Sequence, residues 1–108
     1  MDSHFDHPLR IGPFIYKVVR DSGSQEELEE EGAVGLTVPD SLVIHMSNDL
    51  VPDRERATLL HEIIHACADL TGLDDNCTEE DWATRLGPLL LSVMRDNPLL
   101  VSWVMERE

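Results

Sequence analysis

The sequence has few of the features that mark several common protein classes. Two cysteines are too few for a disulfide-stapled domain, and the first residues do not resemble a signal peptide. The apolar runs are far shorter than the ~20 residues that a membrane-spanning helix needs. Eight lysines and arginines stand against 22 acidic residues, and the formal charge of −14 repels nucleic-acid phosphates. We therefore expect a small cytoplasmic domain with neither a nucleic-acid nor a membrane partner.

Aromatic residues are also scarce, at 5%, but the total hydrophobic share of 42% is normal for a folded protein. A length of 108 residues leaves room for one domain. Residues 1–10 show no periodicity, so we expect a flexible tail there and the domain over residues 11–108. The tail histidines, His4 and His7, lack a fixed backbone and are not predicted to bind a metal.

The order of sequence patterns predicts an α+β fold in which a small antiparallel sheet packs on helices. Residues 11–20 favour a strand entered at Gly12-Pro13, and the acidic segment after them favours a short helix capped by Ser24. Two apolar runs separated by Pro39-Asp40 predict a hairpin. Three further helices are expected: from Asp53 to about Leu70 with Gly72 at its end, from Thr78 with a kink or break at Pro88, and from Leu99 to Met105.

One motif within the first of these three helices carries chemistry, the HExxH sequence from His61 to His65. Residues four apart lie on the same helix face, so both imidazoles can reach one cation at about 2.0–2.1 Å. Glu62 is rotated by about 100° from His61 and is expected to act on a water instead of binding the ion. About 0.02 chance matches to the motif are expected in this composition. The sequence therefore predicts a Zn²⁺ site with Glu62 as general base.

The helix sequence HEIIHACAD resembles the HExxH helix of the gluzincin metallopeptidases. With the preceding NDLVPDRERATLL and a later RDNP, it is similar to the small phage-encoded metallopeptidases of the ImmA/IrrE type. The similarity covers residues from about 11 to 103 and implies a minimal zincin-like fold, although only HExxH is highly specific. It also implies that Asp69, eight residues after His61, accepts a hydrogen bond from that histidine and fixes its tautomer.

In these families a glutamate on the helix after HExxH supplies the third zinc ligand. Two adjacent glutamates, Glu79 and Glu80, occupy that place here. Glu80 shares a helical face with small residues that would let the two helices approach closely, Ala83, Thr84 and Gly87. Glu79 shares its face with the large Trp82. We therefore expect Glu80 to be the ligand, with Glu79 as the alternative.

Two residues outside the motif are weaker candidates. A strand lines the cleft in metallopeptidases of this kind, so His45 could contact the substrate; the alternative is a half-buried histidine satisfied by a neighbour. Tyr16 could polarise a scissile carbonyl, but nothing in the sequence places it near the zinc site.

Together these features predict a zinc-dependent peptidase acting on a protein or peptide substrate. The alternative is a zinc-stabilised regulatory module that binds a partner protein with little or no turnover. Glu62 favours the peptidase, because a structural site has no need of a carboxylate at that position. A purely structural zinc site is disfavoured as well, since such sites usually rely on cysteines and close all four positions. A domain this small leaves a shallow cleft, so we expect substrate recognition along an exposed edge strand.

Overall fold

The computed structural model describes residues 4–107. Its helices and strands follow the order β1 Leu9–Ile11, β2 Phe14–Val19, α1 Ser22–Glu31, β3 Gly35–Val38, β4 Val43–Met46, α2 Pro52–Thr71, α3 Glu79–Asp96 and α4 Pro98–Met105. The strands form a sheet in the order β1-β2-β4-β3. The predicted α+β class, with the HExxH helix packed on a small sheet, is confirmed.

The sheet is mixed, whereas the sequence predicted an antiparallel sheet. β1 pairs with β2, and β3 with β4, as antiparallel neighbours, but β2 and β4 run parallel with Lys17 opposite Val43. The chain leaves β2 through α1, returns along β3 and turns into β4, so that β4 starts at the same end as β2. Gly12-Pro13, predicted at the entry of one strand, instead forms the turn between β1 and β2.

The main core lies between the sheet and the helices α2 and α3. It contains Ile44 and Met46 of β4 together with Leu59 and Ile63 of α2. Because successive strand residues point to opposite faces, His45 lies on the other face of the sheet, where α1 packs.

The segment before β2 packs against the domain, so the flexible tail predicted for residues 1–10 is wrong from residue 4 onward. Phe5 is 2% exposed and belongs to the core, and Leu9 is fully buried. The Asn97 side chain makes two hydrogen bonds to the backbone of β1. It accepts one from the Arg10 amide and donates one to the Arg10 carbonyl, each at 2.8 Å. The apolar residues of this segment are spaced too irregularly to show a period. Residues 1–3 lie outside the described residues.

The ends of α2 and α3 agree closely with the sequence. Gly72 ends α2 in the left-handed region at φ 72°, and Thr78 caps α3 as predicted. α2 begins at Pro52, one residue before the expected Asp53, and its N-cap is Val51. α3 continues through Pro88 without being split. Among the described helices, none combines the length and the apolar character needed to cross a membrane.

Candidate metal centre

His61 and His65 lie one turn apart on the face of α2 that borders β3. Their Nε2 atoms are 3.1 Å apart, and their rings meet edge to face with centroids separated by 4.8 Å. Two ligands of a tetrahedral zinc ion, each bonded at about 2.0–2.1 Å, lie roughly 3.3 Å apart. The spacing therefore fits two ligands of one ion. Both rings are exposed, so an ion held between them would remain accessible from solvent.

Glu62 points from α2 toward β3 and is 6% exposed. Its Oε1 accepts a hydrogen bond of 2.8 Å from the Thr37 hydroxyl, which also lies 2.9 Å from the Glu62 carbonyl oxygen. Its Oε2 lies 3.9 Å from Nε2 of His61. Among residues 4–107, His61, Glu62 and His65 form a group whose ligand atoms all lie within 4.8 Å of one another. The carboxylate is thus held beside the histidines, where it can act on a water between them.

Gly35 lets β3 lie this close to the motif. A Cβ at position 35 would be 2.8 Å from Cγ2 of Thr58 and 3.0 Å from both Cγ and Oε2 of Glu62. The sequence analysis missed both Gly35 and Thr37. The sequence indicates only that Gly35 and Thr37, two residues apart in a short strand, lie on the same face of the sheet. This placement points to Glu62 only after the register of β3 against α2 is known.

A cleft of about 370 Å³ separates β3 from α2 at this point. Leu36 and Pro39 line one wall, and the motif residues with Asp69 line the other. β3 is one of the two outer strands of the sheet, so within residues 4–107 its far edge has no strand beside it. An extended peptide can pair with such an edge and pass in front of the histidines.

The structure does not bring Glu80, or its alternative Glu79, to the histidines. Both are exposed in the first turn of α3, and the Glu80 carboxylate accepts a hydrogen bond from Thr84 at 3.3 Å. In the same turn the Trp82 indole donates to the carbonyl of Asp74, past the C-terminal end of α2. The third-ligand prediction is therefore not met within the described residues.

The facial argument for Glu80 failed because the small residues of α3 face solvent. Ala83, Thr84 and Gly87 are all exposed. The large residues Leu86 and Leu89 instead pack against the core. Burial of large aliphatic side chains outweighs close backbone approach as the driving force for packing this helix.

Asp69 lines the cleft but does not orient His61. Eight residues along a helix correspond to about 12 Å, and among the described residues Asp69 makes no hydrogen bond to either motif histidine. It lies instead near Tyr16. Burial raises the pKa of the Tyr16 phenol, and the Asp69 carboxylate raises it further.

His45 lies away from the cleft, so the predicted contact with substrate has no support. Its Nδ1 is 2.7 Å from Oγ of Ser24, a buried residue of α1. His45 therefore matches the alternative prediction, a half-buried histidine that is hydrogen-bonded to a neighbour. The prediction that Ser24 caps α1 is also wrong, because the N-cap is Asp21. The Ser24 amide donates a hydrogen bond to the Asp21 carboxylate and thereby lowers its pKa.

No protein-family model, curated protein or solved structure matches this chain. What the site can do follows from its own residues: two convergent imidazoles, a buried carboxylate beside them and an open strand edge.

Proposed function

We propose that this protein is a zinc-dependent peptidase of the small ImmA/IrrE-like, gluzincin type. The observation that carries the proposal is the pair of Nε2 atoms of His61 and His65, 3.1 Å apart, with the Glu62 carboxylate fixed next to them by the Thr37 hydroxyl. Two convergent imidazoles fit a metal, and an adjacent carboxylate that is not needed as a ligand fits a general base.

The residues divide the work as follows. His61 and His65 would hold zinc as neutral imidazoles, and the other positions of the ion stay open to a further ligand, water and substrate. When bound, zinc supplies a Lewis acid that polarises the peptide carbonyl and makes water more acidic. Glu62 accepts the proton of the attacking water and delivers it to the leaving amine. Thr37 keeps the carboxylate turned toward the histidines.

The buried position of Glu62 supports catalysis over a purely structural zinc site. Burying a carboxylate with a single neutral hydroxyl as donor is unfavourable unless a further partner offsets the cost. The proposed reaction gives that carboxylate a partner, the water proton. We also place the peptidase in the cytoplasm, because Cys67 and Cys77 are free thiols.

Elemental analysis of the purified protein tests the metal. The wild type should contain stoichiometric zinc, and His61→Ala and His65→Ala should lose it. His7→Ala is the matched control, since His7 is an exposed histidine outside the motif. Undiminished zinc in both motif variants would overturn the proposal.

Cleavage of an unfolded protein substrate tests the reaction. We expect hydrolysis that a chelator abolishes and added zinc restores. A zinc-loaded protein that binds a partner but cleaves no peptide bond would instead support the alternative, a zinc-stabilised binding module.

A further inference from the structure

A second pocket adjoins the cleft on the side of Asp69. It measures about 350 Å³ and shares two wall residues, Pro39 and Asp69, with the cleft. It lies between β2, the turn after β3 and the C-terminal turns of α2. Pockets of this size accept small ligands or single side chains. A peptide lying in the cleft can therefore place one side chain in this pocket.

The walls of the pocket combine an apolar surface with negative charge. Six apolar residues contribute to it: Ile11, Phe14, Pro39, Leu42, Ala66 and Leu70. Its polar lining residues are Tyr16, Asp40 and Asp69, and among residues 4–107 no lysine, arginine or histidine lines it. A side chain with a long apolar stem and a cationic end matches both properties.

Tyr16 is the feature that points most directly to a ligand. Its side chain is 2% exposed, and its hydroxyl makes no hydrogen bond within residues 4–107. Tyr16 and Asp69 line the same pocket, and the Asp69 carboxylate adds to the effect of burial in raising the pKa of the Tyr16 phenol. A guanidinium group presents several N–H donors in a fixed plane and can bond both a phenol oxygen and a carboxylate.

We infer that this pocket binds the cationic side chain of an arginine or lysine residue in the peptide substrate, next to the bond that is cleaved. The formal charge of −14 favours the same ligand, because it attracts cationic peptides over the whole surface. The inference rests on the proposed peptidase for the substrate, but the preference for a cation does not require turnover.

Calorimetric titration with two blocked tripeptides tests the pocket. One is acetyl-Gly-Arg-Gly-amide, and the other carries citrulline, which has nearly the shape of arginine without its charge. The Glu62→Gln variant is titrated so that neither peptide is cleaved. We expect the arginine peptide to bind about fivefold more tightly. Equal affinities for the two peptides would overturn the inference.

Aspartate variants locate the effect. Asp40→Asn and Asp69→Asn should each reduce the preference for arginine by about twofold or more. Asp49→Asn is the matched control: it removes one exposed negative charge after β4, at the opposite end of that strand from Asp40. A preference that falls equally in all three variants would reflect the overall charge and would contradict a specific pocket.

Tyr16 supplies an independent measurement because it is the sole tyrosine of the chain. Its ionisation can be followed by the ultraviolet absorbance of tyrosinate while the arginine peptide stays charged. A guanidinium beside the phenol stabilises the phenolate, so the bound arginine peptide should lower the Tyr16 pKa, and the citrulline peptide should not. Binding of the arginine peptide without this change would place it elsewhere and overturn the inference.

The outcomes separate this inference from the proposed function. If zinc and cleavage are absent but arginine binding still depends on Asp40 and Asp69, the pocket stands and the peptidase proposal falls. If the protein cleaves peptides with no preference for a cationic side chain, the peptidase proposal stands and the pocket is wrong.

Discussion

Glu55 and Glu62 are both buried on α2, yet their surroundings differ sharply. They are seven residues apart, which places them near one face of the helix, and they are 5% and 6% exposed. Nη2 of Arg20 and Nδ1 of His4 both lie 2.7 Å from the Glu55 carboxylate. The Glu62 carboxylate accepts a hydrogen bond from the neutral Thr37 hydroxyl, and the nearest ring nitrogen of His61 is 3.9 Å away.

The difference separates a carboxylate used for folding from one available for chemistry. Arg20 also donates to the Phe5 carbonyl, so the ion pair with Glu55 ties the first described residues to α2. The negative charge of Glu55 is therefore compensated within the fold by Arg20. Glu62 has no such partner among the lysines and arginines of the described residues. A buried carboxylate beside two histidines, with no lysine or arginine partner among the described residues, is where we propose the general base.

Exchanging each glutamate for glutamine should therefore have opposite consequences. Glu55→Gln leaves Arg20 largely buried without its countercharge, and we expect a loss of about 3–5 kcal/mol in the free energy of unfolding. Glu62→Gln should leave that free energy within about 1 kcal/mol of the wild type and reduce peptide cleavage by about 10²–10⁴-fold. Urea denaturation and a cleavage assay on both variants measure the two effects.

Zinc content is the control for this pair. Both variants should retain zinc, because neither glutamate is needed as a ligand. If Glu62→Gln lost zinc, or unfolded as readily as Glu55→Gln, the contrast between the two carboxylates would be mistaken and Glu62 would be part of the structural framework.

Gly35→Ala should displace the Glu62 carboxylate and leave Glu55 unaffected. The added methyl would stand 3.0 Å from the Glu62 carboxylate and 2.8 Å from Thr58. We expect a loss of about 1–3 kcal/mol in unfolding free energy and lower cleavage activity, with zinc retained. Gly87→Ala is the matched control, because its Cβ meets no atom within 4 Å. In the interior of α3 it should stabilise by about 0.5–1 kcal/mol. A harmless Gly35→Ala would show that β3 does not press on the motif.

Thr37→Val tests the hydrogen bond that holds Glu62. The change keeps the shape of the side chain and removes the hydroxyl, so the carboxylate loses its donor. A hydrogen bond to a charged group contributes about 1.5–3 kcal/mol, so we expect kcat to fall by at least about tenfold. Thr37→Ser keeps a hydroxyl and should retain most of the activity. Equal activity in the two variants would show that the bond does not position the base.

Features of this site that join residues close in sequence could be predicted, and features that join distant residues could not. His61 and His65 were predictable because helical geometry alone fixes residues four apart. The contacts that distinguish the two glutamates join residues far apart in sequence, with 35 positions between Arg20 and Glu55 and 25 between Thr37 and Glu62. No local pattern encodes such pairings. The mixed sheet was missed for the same reason, since parallel pairing of β2 with β4 depends on the whole path between them.

The prediction of Glu80 as the third ligand depends on the path between two helices, and that path decides where the glutamate lies. The pattern after Thr78 correctly predicted α3, whose first turn is capped by Thr78 and Asp81. The connection from Gly72 to Cys77, however, sets where α3 starts relative to α2. It carries the first turn of α3 beyond the end of α2, so that a glutamate correctly placed on a helix is displaced from the histidines.

Glu79→Gln and Glu80→Gln extend the comparison to these remaining carboxylates and should have the smallest effects. Because both side chains are exposed and outside the histidine group, we expect zinc affinity to change by no more than about twofold in either variant. Competition with a chromophoric chelator measures this affinity, with His65→Ala as the reference for losing a true ligand. A loss of tenfold or more in one variant alone would mean that the first turn of α3 moves onto the HExxH helix when zinc binds. That glutamate would then be the third ligand, and α2 would present its histidines to a site completed by α3.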